Sequence, residues 1–231
     1  MINRVLIRLK VVQIVYAYYK NSGKSLKAAE DEMFFSLSKA YDLYSYLWLL
    51  MPGVTHYAAD RISFLSMKVR PTESDRNPNL KFVENRFIAQ LEQIEQLVKF
   101  SEKSKLNWVD NSDFLRRLLD KIEESDTYKE YMASGESSYA EDRELWRKLY
   151  KEFVFENEEL DDLIEEHSLY WNDDKAIVDT FVLKTIKRFA EDADSDTLLL
   201  PEYKDVADMD FARKLFRNAI AGFVCKIVSL L

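Results

Sequence analysis

Three cations stand in an otherwise apolar run near the start of the chain, INRVLIRLKVVQIVYAYYKN over residues 2–21. At about 100° per residue, Arg4 and Arg8 fall on one side of a helix with Val11, Val15 and Tyr19. The two guanidinium groups thus extend an apolar stripe at its N-terminal end. Lys10 points to a different side, near Asn3. Gln13 falls among Ile2, Leu6 and Leu9, and needs a hydrogen-bond partner if it is buried. A guanidinium fork pairs equally well with carboxylate and phosphate. Both partners fit this sequence: it is rich in Asp and Glu, and the first turns of a bundle helix can project beyond the bundle towards a polyanion.

Other chemistry is thinly represented. The two histidines, His56 and His167, and the one cysteine, Cys225, form no Ser/His/Asp or Cys/His arrangement at short spacing, so no catalysis is expected. A Glu-x-x-His metal pair at His167 needs a glutamate at position 164, which is Ile164. The acidic run ENEELDDLIEE (156–166) lacks the glycine and alternating oxygen ligands of a calcium loop, and reads as a solvated helix start. Gly23, Gly53, Gly135 and Gly222 are too scattered for a phosphate cradle. No cofactor and no metal is expected. Tyr41, Tyr44, Tyr46 and Trp48 lie on helical stripes, as core aromatics do.

The elements that must position these groups are helices. Four Gly and four Pro in 231 residues argue for few, long helices, and 47% hydrophobic residues suffice for a substantial core. The periodicity predicts helices over 2–20, with Gly23 as C-cap, and over about 26–68, divided or kinked at Pro52. A loop spans 69–79. Further helices are predicted over 80–100, 112–125 (capped by Ser112 or Asp113), 128–134, 138–155 (with Ser138 and Glu141 at capping-box spacing), 158–171, 174–192 and 209–231. The expected partition is a helical region over 1–192, a linker over 193–208 and a last helix over 209–231. The uncharged run LYSYLWLLMPGVTHYAA contains Pro52, Gly53 and His56, and reads as a buried helix with a break rather than a membrane span. The single cysteine fits a reducing, cytoplasmic compartment. A net charge of −8 opposes general polyanion binding but leaves room for a local basic patch.

The segment RVLIRLKVVQIVYAYYK resembles the N-terminal signature of the NusB family of transcription antitermination factors, through Arg4, Arg8, Lys10, Gln13, Val15 and Tyr16. HSLYWNDDKAIVDTFVLKTIKRF (167–189) and LLPEYKDVADMDFARKLFRNAI (199–220) are similar to the long, Bacteroidetes-type form with an inserted helical region. Phe211, Ala212 and Leu215 match the family's entry into its first core helix. The resemblance spans about residues 1–220; the Asp-Arg helix, the Pro-Val-x-Val segment, the Asn-Glu helix and the closing Asn-Gly pair of the family's C-terminal subdomain do not occur. It implies an all-α bundle that binds boxA-type RNA with the NusE ribosomal protein, in the antitermination complex of RNA polymerase. It assigns phosphate contacts to Arg4, Arg8 and Lys10, and a shortened C-terminal part that would impair the activity. The acidic balance leaves a second reading open, a helical interaction scaffold without RNA binding.

Overall fold

The computed structural model describes residues 1–21, 24–104, 106–135 and 137–228, without the side chains of 195–196 and 223–228. The Gly23 cap and the Cys225 thiol lie outside the described residues. The fold is all-α; among the described residues the sole extended pairing is an isolated parallel bridge between Ile2 and Tyr203. Helix α1 (Arg4–Lys20) starts where the Asn3 side chain accepts from the amides of Val5 and Leu6, at 3.0 and 2.9 Å. Helix α2 (Leu26–Ser66) runs unbroken through Pro52, which corrects the expected division there. Proline removes one amide donor, but the segment around it is buried and its packing holds the helix together.

The predicted loop over 69–79 contains a single capped turn, α3 (Glu73–Arg76), closed by Thr72 and Asp75. The predicted helix over 80–100 is two: α4 (Arg86–Leu91) and α5 (Glu95–Ser104). The Asn85 side chain accepts from the Ile88 amide and delays the start, and tight turns at Gln93 and Ile94 end α4. A 3₁₀ turn over Val109–Asn111 leads into α6 (Ser112–Glu124), and α7 (Asp126–Ala133) follows, capped by Ser125. Asn111, not Ser112 or Asp113, occupies the cap position of α6.

Helix α8 (Tyr139–Leu149) begins at Ser138, whose hydroxyl accepts from the Glu141 amide, and widens into a π-turn over Tyr150–Val154. The chain then turns through Glu156 at φ 56° into α9 (Glu158–His167), whose first turn holds Glu158, Glu159 and Asp161. Next come α10 (Lys175–Ile186), the short α11 (Ser195–Leu198) and α12 (Val206–Val228). No helix among the described residues is long and apolar enough to cross a membrane.

The chain forms two units that do not follow chain order. Unit 1 comprises 1–43, 164–177 and 200–231; unit 2 comprises 44–163 and 178–199. Helices α1 and α12 therefore share unit 1, and the stretch expected as a linker contributes α11 and the strand-like contact of Tyr203 with Ile2. In unit 1, α1 packs on α12, while the Trp171 indole donates to the Lys39 carbonyl at 2.8 Å and the Tyr41 hydroxyl to the Leu200 carbonyl at 3.0 Å. The core of unit 2 is aromatic. Trp48 stacks on Phe189, Tyr46 on Trp108, and the buried Tyr150 hydroxyl donates to Asp179 at 2.6 Å. Burial beside that carboxylate holds the phenol well above its ordinary range.

Candidate nucleic-acid interface

Helix α1 has a buried side and an exposed side. Leu6, Ile7, Val11, Ile14 and Val15 are buried, while Arg4, Val5, Arg8, Val12, Tyr16 and Lys20 are exposed. The steps from Arg4 through Arg8, Val12 and Tyr16 to Lys20 are all of four residues, so these side chains form one ridge along the helix. The arginines accordingly continue this outer ridge, not the stripe of Val11 and Val15. The exposed ridge is not confined to the first turns of α1: Val12 is 67% and Tyr16 64% exposed.

The three predicted cations separate. The Arg4 side chain is 66% exposed and reaches only the edge of Asp208, at 3.8 Å. Arg8 is exposed and has no ion pair among the described residues. Both guanidinium groups approach the ring of Phe211 on α12, Arg4 at 5.1 Å and Arg8 at 6.0 Å from its centroid. An aromatic face steers a guanidinium without consuming its N–H donors, which stay directed to solvent.

Lys10, in contrast, is 2% exposed. Its ammonium lies 2.7 Å from the fully buried Asp174 and donates to the Tyr170 carbonyl at 3.3 Å. Enclosure pushes the Asp174 carboxyl up to about 6, against the opposing pull of Lys10. The phosphate-contact role of Lys10 therefore does not fit its position: it is an interior residue, turned inward because a partner carboxylate waits there. Gln13 is half-exposed, not buried, and donates to Asp173 at 2.8 Å.

Beyond the arginines, an apolar depression of about 540 Å³ lies between α1 and α12, lined by Val11, Val12, Val15, Tyr16, Tyr19 and Lys20 with Ala219 opposite. The Tyr19 hydroxyl donates to the Ile220 carbonyl at 2.9 Å and ties the two helices together at this point. The Lys20 ammonium sits 5.7 Å from the Tyr16 ring centroid. Lys214, one turn beyond Phe211, is exposed and has no ion pair among the described residues. Arg213 and Arg217 differ: both donate to Glu30, at 2.9 and 2.7 Å, and their hydrogen bonds, Arg217 foremost, hold its carboxyl below the usual range.

The sequence concealed Phe211 and Tyr16 as members of this surface. A four-residue ladder through positions 4, 8, 12, 16 and 20 was the available signal for Tyr16; nothing local marked Phe211 as the ring beneath two arginines. Elsewhere, His167 is exposed at the end of α9, with its ring centroid 6.4 Å from that of Trp171. Among the described residues no three His, Cys, Asp or Glu side chains gather as a metal site. No protein-family model, curated protein or solved structure matches the chain.

Proposed function

We propose that this chain binds single-stranded RNA through the outer ridge of α1, in the manner its resemblance to the NusB family implies. The observation that carries the reading is the pair Arg4 and Arg8, exposed side by side over one aromatic ring, with Arg8 free of any ion pair among the described residues. The guanidinium groups serve as phosphate contacts, and Tyr16 above the neighbouring depression offers a face on which an unpaired base can stack. Lys20 closes the far end of the ridge. On this reading the RNA is boxA-like, the NusE ribosomal protein is the co-binder, and the activity is transcription antitermination.

The test is a titration of the full chain with a boxA-like RNA, with and without the ribosomal partner, across a series of salt concentrations. Each phosphate contact to a single strand contributes about 0.7 to the slope of log affinity against log salt. Arg4→Ala with Arg8→Ala should weaken binding and flatten that slope by roughly 1.4. No binding by the native chain in either setting overturns the proposal and leaves the interaction-scaffold reading.

A further inference from the structure

A cavity of about 900 Å³ lies in unit 2, remote in sequence from the α1 ridge and lined by nothing from unit 1. One wall is α2 from Leu49 to Phe64, a run of four turns and about 22 Å. The facing wall is α5, with Leu97, Val98 and Glu102. Leu91, Leu97, Leu115 and Trp108 are buried residues of its lining and make an apolar floor. That floor is fixed in place: the Trp108 indole donates to the Tyr46 carbonyl at 3.0 Å, and its ring stacks on Tyr46 at 4.3 Å.

The edges of this groove have a definite chemistry. Asp60, Glu92 and Glu102 are exposed along it; Glu92 meets His56 of the α2 wall, while Asp60 and Glu102 have no ion pair among the described residues. The one arginine of the lining, Arg61, is held by Asp120 at 2.9 Å and by Glu123, so it does not offset them. Large apolar side chains stand open at the rim, with Phe64 72% and Val109 78% exposed. A small ligand on the floor would leave those two uncovered, and a polyphosphate would meet the unpaired carboxylates of Asp60 and Glu102. A rod of helical diameter, apolar beneath and cationic at its flanks, covers the floor and the rim together.

We infer that the groove between α2 and α5 receives a basic amphipathic helix of about four turns from a partner protein. Its apolar stripe lies on Leu91, Leu97 and Trp108, and its lysines or arginines face Asp60 and Glu102. This site is independent of the RNA reading, which concerns unit 1 alone.

The probe is a fluorescein-labelled helical peptide of about 16 residues, with leucines at three- and four-residue steps and lysines on both flanks. Two control peptides carry glutamate for lysine, or the same residues in an order that destroys the stripe. Anisotropy titrations of the full chain should show saturable binding of the first peptide only. Asp60→Lys with Glu102→Lys, and separately Phe64→Ser with Val98→Asp, should each weaken it at least tenfold. Glu165→Lys with Glu166→Lys, an equal charge change in unit 1, should change it less than twofold.

Equal weakening by the unit 1 variant would reduce the effect to net charge and overturn the inference. So would self-association of the native chain that the groove variants abolish, which assigns the groove to a second copy. A photoreactive group on the peptide's apolar stripe tests the native chain without any substitution. Crosslinks to Phe64 or to the 97–98 segment support the site, and crosslinks confined to other segments overturn it.

Discussion

A lysine ammonium enclosed with a carboxylate is stable only while both are present. Removing one partner strands the other charge, at a cost of about 3–5 kcal/mol, whereas replacing both with apolar groups is close to neutral. Lys10→Met alone should therefore lower stability by that order, and adding Asp174→Leu should restore most of it, as urea unfolding would show. The carboxyl of Asp174 also titrates abnormally, near 6 instead of 3.8. The folded state thus holds this proton more tightly than the unfolded chain between those values. Its contribution to stability falls as pH rises from about 4 through 6, and improves on acidification. A carbon-detected titration of the Asp174 carboxyl should give a midpoint near 6; one near 4 contradicts its enclosure.

Glu156 is a second local test. Its φ of 56° is the left-handed region, which costs a side-chain-bearing residue about 1 kcal/mol and glycine little. Glu156→Gly should therefore raise the unfolding midpoint, or leave it unchanged where chain entropy offsets the gain. A clear loss would mean that the Glu156 side chain supports the turn.

Helices make different demands. Gly53 lies within α2, where alanine is normally favoured by about 1 kcal/mol. A Cβ there would sit 2.9 Å from the Trp108 Cβ, an atom next to the backbone that cannot swing away. Gly53→Ala should consequently destabilise by about 1–3 kcal/mol despite the better propensity, with a shift in tryptophan fluorescence reporting the displaced Trp108. On α1, Tyr16→Phe should keep RNA affinity, while Tyr16→Ala should cost about 1–3 kcal/mol of binding without a matching loss of stability, because the ring is exposed.

These elements also show what the sequence made legible. The long helix over 26–68 and the capped start at Ser138 followed from periodicity and local hydrogen-bond chemistry, and both stand in the structure. The split between α4 and α5 did not, since their apolar positions keep helical phase across a break made by short-range turns at 92–94. Pro52 does not divide α2, because tertiary packing outweighs the one lost amide donor. The α1 surface was half legible. Arg4 and Arg8 were visible as unusual charges, but Lys10 could be told from them only by Asp174, which lies far along the chain. Phe211 and the facing walls of the α2–α5 groove are likewise products of tertiary packing.

For the whole molecule, charge is the governing constraint. A chain of net charge −8 does not attract a polyanion through its overall field, so the proposed RNA binding rests on local cations such as those of the α1 ridge. Counting Arg4, Arg8 and Lys20 as phosphate contacts, the salt slope should be shallow, on the order of −2. A slope near −6 would mean many more phosphate contacts than the three cations of the α1 ridge supply. The acidic rim over α2 and α5 would repel the same RNA, so the two surfaces suit ligands of opposite charge.

The most direct test of the proposed RNA surface is amide chemical-shift mapping of the full chain during titration with boxA-like RNA. Shifts should concentrate on the α1 residues Arg4, Arg8, Val12, Tyr16 and Lys20 and on Phe211 and Lys214 of α12, and should saturate together. Shifts confined to unit 2, or an unchanged spectrum at saturating RNA, would contradict it.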